Sequence, residues 1–144
     1  MDNRYQVYRQ SDVNTANRGK IVVMLYSGAI TFLNKAKVFM LRQDFENKSK
    51  YIQKALDIVE ELNIALDIPR GGEIAKNLRS IYLFIIRYLN EANFENSTEK
   101  IDRTVQMLDR IKSAFEEITQ NPEYAEAQSI NKKEQVQNSI SKVV

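Results

Sequence analysis

Cysteine and histidine are both absent from this sequence. Without cysteine there is no disulfide framework, and the redox compartment stays open. Without histidine as well, the usual metal ligands and activated nucleophiles are missing, which removes the common hydrolase, transferase and zinc constellations together. Carboxylates remain, in Glu60-Glu61 and Glu116-Glu117. Adjacent glutamates on a helix point about 100° apart, so at most one of each pair faces a shared site. A di-iron bundle needs Glu-x-x-His repeats, which cannot occur here. These pairs read as solvated helix faces. No catalytic residue, metal ligand or cofactor is expected, and the chain does not read as an enzyme.

Charge of one sign is also lacking. Twenty-one Lys and Arg stand against 19 Asp and Glu, a net of +2, and no basic stripe interleaved with aromatics points to nucleic acid. The opening MDNRYQVYRQ is polar and offers no signal-peptide core. No uninterrupted apolar run reads as a membrane span. The expectation is a cytoplasmic protein that does not insert into membranes. At 144 residues, the length suits one domain with a sizeable core.

What is present is helical periodicity, four times over, with no alternating strand pattern against it. The first run is Ile21, Leu25, Ala29, Phe32, Ala36 and Phe39. The second follows Asp44, an N-cap candidate, through Ile52, Ala55, Leu56, Val59, Leu62 and Leu66. Asp67-Ile-Pro-Arg-Gly-Gly72 makes a turn, and glycine is the usual residue past a helix end. The third run is Ile74, Leu78, Ile81, Tyr82, Ile85, Leu89 and Ala92. Asn96 and Glu99 have capping-box spacing ahead of the fourth run, Ile101, Val105, Leu108, Ile111, Phe115 and Ile118. Four such helices with short connections predict an all-α fold, an antiparallel four-helix bundle over residues 18–120. Residues 1–17 read as an extended N-terminal arm. Residues 121–144, poor in core material, read as a flexible C-terminal tail.

Two of the helices carry too much apolar perimeter. Around the first, Val22, Tyr26, Ile30 and Leu33 widen the stripe to about 180°, where a bundle helix buries a little over 100°. The third adds Leu83, Phe84, Ile86 and Tyr88. The arm, a second copy of the chain, or a partner must cover some of this surface, because an open apolar patch invites aggregation. Gly28 costs a helix about 1 kcal/mol against alanine. It reads as a close helix–helix contact or as a notch for an added segment. Tyr5 and Tyr8 sit on the arm, either tacking it to the bundle or exchanging with a ligand.

The sequence resembles the flagellar secretion chaperone family known as FliS. The likeness is carried by Tyr8, Val13, Thr15 and Ala16, then Met24-Leu-Tyr-Ser-Gly-Ala29 with Phe32-Leu33. It continues through Ala55, Ile58, Glu61, Leu62, Leu66 and Asp67, then Gly72-Glu-Ile-Ala-Lys-Asn-Leu78, Tyr82 and Leu89 to Asn93. Where the family has Ser-Pro this chain has Asn17-Arg18, with Asn17 able to cap, and a family tryptophan is Phe115 here. The resemblance implies a chaperone without catalysis that binds the disordered C-terminal segment of flagellin in the cytoplasm. It would prevent premature polymerisation and deliver the subunit to the flagellar type III export apparatus. Carried over by motif, Tyr8 and Val13 would be arm or entrance contacts, and Ile21, Met24, Leu25 and Gly28 would belong to a partner groove near the first helix. Tyr5 on the arm and Tyr26 on the helix are further partner-binding candidates. The alternative is a structural homodimer that hides the surplus surface without a client.

Overall fold

The computed structural model describes residues 15–120, with side chains described over 18–118. Four helices follow one another: α1 (Thr15–Leu41), α2 (Phe45–Ile64), α3 (Ile68–Glu95) and α4 (Thr98–Gln120). Connections of two or three residues force consecutive helices antiparallel, and the result is the expected all-α four-helix bundle. α1 packs closely on α2 and α4, whereas α3 packs on the same two helices more loosely and lies diagonally across from α1. Residues 1–14 and 121–144, with Tyr5, Tyr8 and Val13, lie outside the described residues, and residues 15–17, expected to belong to the arm, open α1.

Local chemistry sets each boundary. Gln43 takes a left-handed φ of 60°. Its N–H bonds to the Met40 carbonyl at 3.1 Å and the Asp44 N–H to the Phe39 carbonyl at 2.9 Å, a Schellman closure of α1. Asp44 is the N-cap of α2, its carboxylate accepting from the Asn47 N–H at 3.2 Å and the Asn47 side-chain amide at 2.7 Å. Those two hydrogen bonds, side chain first, pull the Asp44 carboxyl below its usual range. Asp67 caps α3 in the same way through the Arg70 N–H at 3.2 Å. The turn read from Pro69-Arg-Gly-Gly72 is one helical turn followed by a break at Gly72 (φ 59°, ψ −136°), a backbone region that side chains disfavour.

Two boundaries differ from expectation. α1 begins at Thr15, so Asn17 lies within the helix and is not its cap. Asn96 does not open α4. It closes α3 in the left-handed region (φ 55°), and Ser97 takes the capping role, its Oγ accepting from the Lys100 N–H at 3.2 Å. The reason is economy of chain: with two connecting residues, the first must reverse the backbone, and asparagine tolerates that conformation.

The core is continuous along the bundle. α2 buries Ile52, Ala55, Leu56, Val59 and Leu62, Leu66 is buried in the connection that follows, and α3 buries Leu78, Tyr82, Ile85, Leu89 and Ala92. α4 adds Ile101, Leu108, Phe115 and Thr104, whose Oγ1 donates to the Lys100 carbonyl at 2.9 Å and so is satisfied in the interior. On α1 the expected seam is rotated. The buried line is Val22, Tyr26, Ala29, Leu33, Ala36 and Met40, while Ile21, Leu25, Phe32 and Phe39 are half-buried on the flank. That flank leans over α2, with Phe32 and Phe39 against the Tyr51 ring at 6.0 and 5.5 Å. The true centre faces between α2 and α4. A bidentate pair from Lys37 Nζ to Asp102, at 2.8 and 2.9 Å, ties α1 to α4 from the other side.

Candidate functional site

α1 and α3 both keep apolar surface that the bundle does not hide. Met24 is 71% exposed, Leu83 54% and Phe84 38%. Ile21, Val23, Leu25 and Ile30 on α1, and Ile81, Ile86 and Tyr88 on α3, remain half-exposed. Arg18–Leu41 is long and apolar enough to cross a membrane, but one line of it builds the core of the bundle. The residues predicted for a partner groove on α1 therefore divide. Met24 stands free; Ile21, Leu25 and Gly28 sit on the flank toward α2. A Cβ at Gly28 would meet Ile58 Cδ1 of α2 at 3.4 Å, an ordinary contact, so there is room for a methyl group.

Tyr26 is a correction. It is fully enclosed, with its ring 5.9 Å from Phe115 and 6.4 Å from Tyr82, and offers no surface to a partner. Its hydroxyl hydrogen-bonds that of Tyr82 across the bundle diagonal. Burial is the main reason that both phenols are hard to ionise: Tyr82 is pushed up to about 12, and Tyr26 higher still, with the neighbouring phenol adding to the rise. Tyr26 thus sits at the centre of the α1 stripe, which the periodicity had put one residue away. The pair is structural, because no reacting atom can reach it.

An open groove between α3 and α4 was not identified from the sequence. One cavity of about 300 Å³ is lined by Ile74, Leu78, Arg110, Ile111, Ala114 and Phe115. A second of about 370 Å³ follows along the same two helices, lined by Phe84, Tyr88, Arg103, Gln106, Met107 and Arg110. The groove exists because α3 packs loosely on α4 and because Ala114 presents only a methyl group there. Its upper rim is organised: Tyr88 stacks on Phe84 at 5.0 Å, and its hydroxyl accepts from Arg103 at 3.3 Å. Lys100 bridges Glu91 and Glu95 at 3.0 and 2.9 Å beside the same ring, and these carboxylates, Glu95 first, raise its pKa. The surplus on α3 was the signal that pointed here. Among the described residues no three acidic side chains gather to hold a metal ion. The chemistry on offer is apolar capture along grooves, with arginines at the edge.

Comparison with known proteins fits this surface. A family model described as flagellar protein FliS matches residues 1–122. The flagellar secretion chaperone FliS of Vibrio cholerae is 37% identical over 114 residues, covering 79% of this chain and 82% of that protein. The protein of the same name from Salmonella typhimurium is 32% identical over 123 residues, 85% of this chain and 91% of its own length. That of Bacillus subtilis is 35% identical over 98 residues, 68% and 72% of the two chains. With this coverage across distant bacteria, the chain belongs to the flagellar secretion chaperone FliS family.

Proposed function

We propose that this chain is a cytoplasmic, non-enzymatic export chaperone. Its client is the disordered C-terminal segment of flagellin, which it keeps from polymerising early and hands to the flagellar type III export apparatus. The observation that carries the reading is the unspent apolar surface on α1 and α3 beside an open α3–α4 groove. A segment rich in apolar side chains gains about 1.5–3 kcal/mol for each large residue it buries there. It also loses conformational entropy on docking, which holds affinity at a level compatible with release. An amphipathic helix laid in a groove is the recognition mode that suits these dimensions.

In this reading Ile21, Met24, Leu25 and Gly28 form one wall of client contact, and the α3–α4 groove forms another. Tyr5, Tyr8 and Val13, in an arm that precedes α1, contribute at the entrance, with the four helices as the client-binding bundle and residues 121–144 as a tail. Titration calorimetry of the full chain with a flagellin C-terminal peptide from the same source tests the reading. Saturable one-to-one binding supports it, and absence of binding ends it. Light scattering across dilution separates the homodimer alternative, since an obligate dimer persists on dilution and ignores the peptide.

A further inference from the structure

We infer that the face shared by α1 and α2 around Tyr51 is a second docking surface, for an acidic protein segment, which adjoins the client wall of Ile21, Leu25 and Gly28 on the same flank of α1 but is built from other residues. Although the whole chain is near neutral, α1 has no acid in its 27 residues and carries Arg18, Lys20, Lys35 and Lys37. Lys37 is neutralised by Asp102 of α4, but Lys35 is not. On α2, no acid stands between Glu46 and Asp57, while Lys50 and Lys54 are spaced so that like charges oppose each other on one helix face.

These cations converge on one ring. The ammonium groups of Lys35, Lys50 and Lys54 lie 5.6, 5.9 and 5.5 Å from the centroid of Tyr51, and Lys54 is also 5.3 Å from that of Phe32. Among the described residues, none of the three lysines has a carboxylate within ion-pair distance. Asp57, three residues past Lys54, is engaged by the Gln53 amide at 2.9 Å, and Glu46, four residues before Lys50, makes no ion pair with it. Attraction to the ring quadrupole orients ammonium groups but does not cancel their mutual repulsion. The missing counter-charge is what an incoming acidic segment supplies, and the Phe32–Tyr51–Phe39 cluster gives its apolar side chains a floor.

The geometry favours a peptide over the other anionic surfaces. Phe39 stacks on Tyr51 with planes 11° apart and the lysines crowd the same ring, so no aromatic face is free to stack a nucleic-acid base. Phe32, Tyr51 and Phe39 are half-buried rather than protruding, which suits a flat contact and not insertion between lipids. Lysines act as point charges and lack the planar fork that selects phosphate.

The test uses the full chain and a fluorescent synthetic peptide of glutamates interspersed with leucines. Vesicles containing phosphatidylglycerol and an oligothymidine strand run as parallel probes. Binding of the peptide that weakens with salt, and that falls about tenfold in the K35Q/K50Q/K54Q variant with unchanged melting, is the expected result. The same variant binds the flagellin C-terminal peptide as the parent does. Tighter binding of vesicles or oligothymidine than of the acidic peptide overturns the inference, as does peptide binding indifferent to the three substitutions. Loss of the flagellin peptide in this variant would merge the two surfaces and overturn it too. A parent chain that never binds flagellin peptide negates only the client reading, because the acidic-peptide arm is read independently. Lys35→Gln alone, on α1, gives a partial loss and guards against a folding defect in α2.

Discussion

The hydroxyl of Tyr26 on α1 meets the hydroxyl of Tyr82 on α3, joining two helices that otherwise barely touch. Each ring is fully buried, so each hydroxyl depends on the other for its hydrogen bond. Replacing one tyrosine by phenylalanine strands the partner and is expected to cost about 1–3 kcal/mol. Replacing both leaves two apolar rings of similar shape and is expected to cost clearly less than the sum of the singles. Denaturant unfolding of Tyr26→Phe, Tyr82→Phe and the double variant checks this, and additive costs would contradict it.

The same pair sets an alkaline limit. Unfolded tyrosine ionises near pH ~10, while folded Tyr82 is held at about 12 and Tyr26 is raised further. Above the unfolded value, the folded chain retains protons that the unfolded chain releases, so rising pH favours unfolding. The stabilisation is complete below pH ~10 and drains away as pH climbs through about 12. Alkaline unfolding followed by circular dichroism, with tyrosinate absorbance recorded in parallel, should show the two signals moving together. The double phenylalanine variant should lose that coincident step.

Two glycines are expected to answer the same substitution with opposite signs. Gly28→Ala gains helix propensity of about 1 kcal/mol, and its new methyl group meets Ile58 Cδ1 at 3.4 Å without a clash. Gly72→Ala finds empty space, but must hold an L residue at φ 59°, which costs about 1–3 kcal/mol. Thermal melting should rise for the first and fall for the second. If Gly28 is kept as a notch for the client, Gly28→Ala will also weaken the flagellin peptide despite the higher melting temperature.

Lys48 shows how the sequence hides some determinants. It is 5% exposed, on a helix where lysine normally marks the wet side. Its Nζ donates to the Asn93 carbonyl at 2.9 Å and to Asn96 Oδ1 at 2.7 Å, placing positive charge at the C-terminus of α3. Burial lowers its pKa, so the hydrogen bonds carry the charged form. Lys48→Met removes two charge-assisted bonds and is expected to cost about 2 kcal/mol, read from the denaturation midpoint.

Periodicity made the four helices legible because each buries apolar residues every three or four positions, and on α2 every apolar residue of the pattern is in the core. It failed to centre α1, since an apolar arc of about half the helix circumference fixes its edges better than its middle. Tyr26 was therefore read as surface although it is the pivot of the core. Asn96 and Ser97 both carry capping side chains, and only the left-handed turn at Asn96 decides which caps α4. The α3–α4 groove was illegible for another reason: the gap between two helices depends on how all four settle, not on either helix alone.

That groove separates two versions of client capture. Ala114→Met fills the cavity beside Ile74, Leu78 and Phe115, and is expected to leave stability unchanged or raise it by about 1 kcal/mol. Met24→Glu puts a charge on the free edge of α1, where the parent residue is 71% exposed and contributes little to folding. A client that spans both surfaces loses about tenfold in affinity, near 1.4 kcal/mol, with either change. Calorimetry with the flagellin peptide distinguishes the cases, because a client confined to α1 would bind the Ala114→Met variant as tightly as the parent. A client seated only between α3 and α4 would ignore Met24→Glu instead. Loss with both variants, with melting no lower than the parent's, is the expected outcome, because apolar surface left open on two separate helices calls for a partner long enough to reach both.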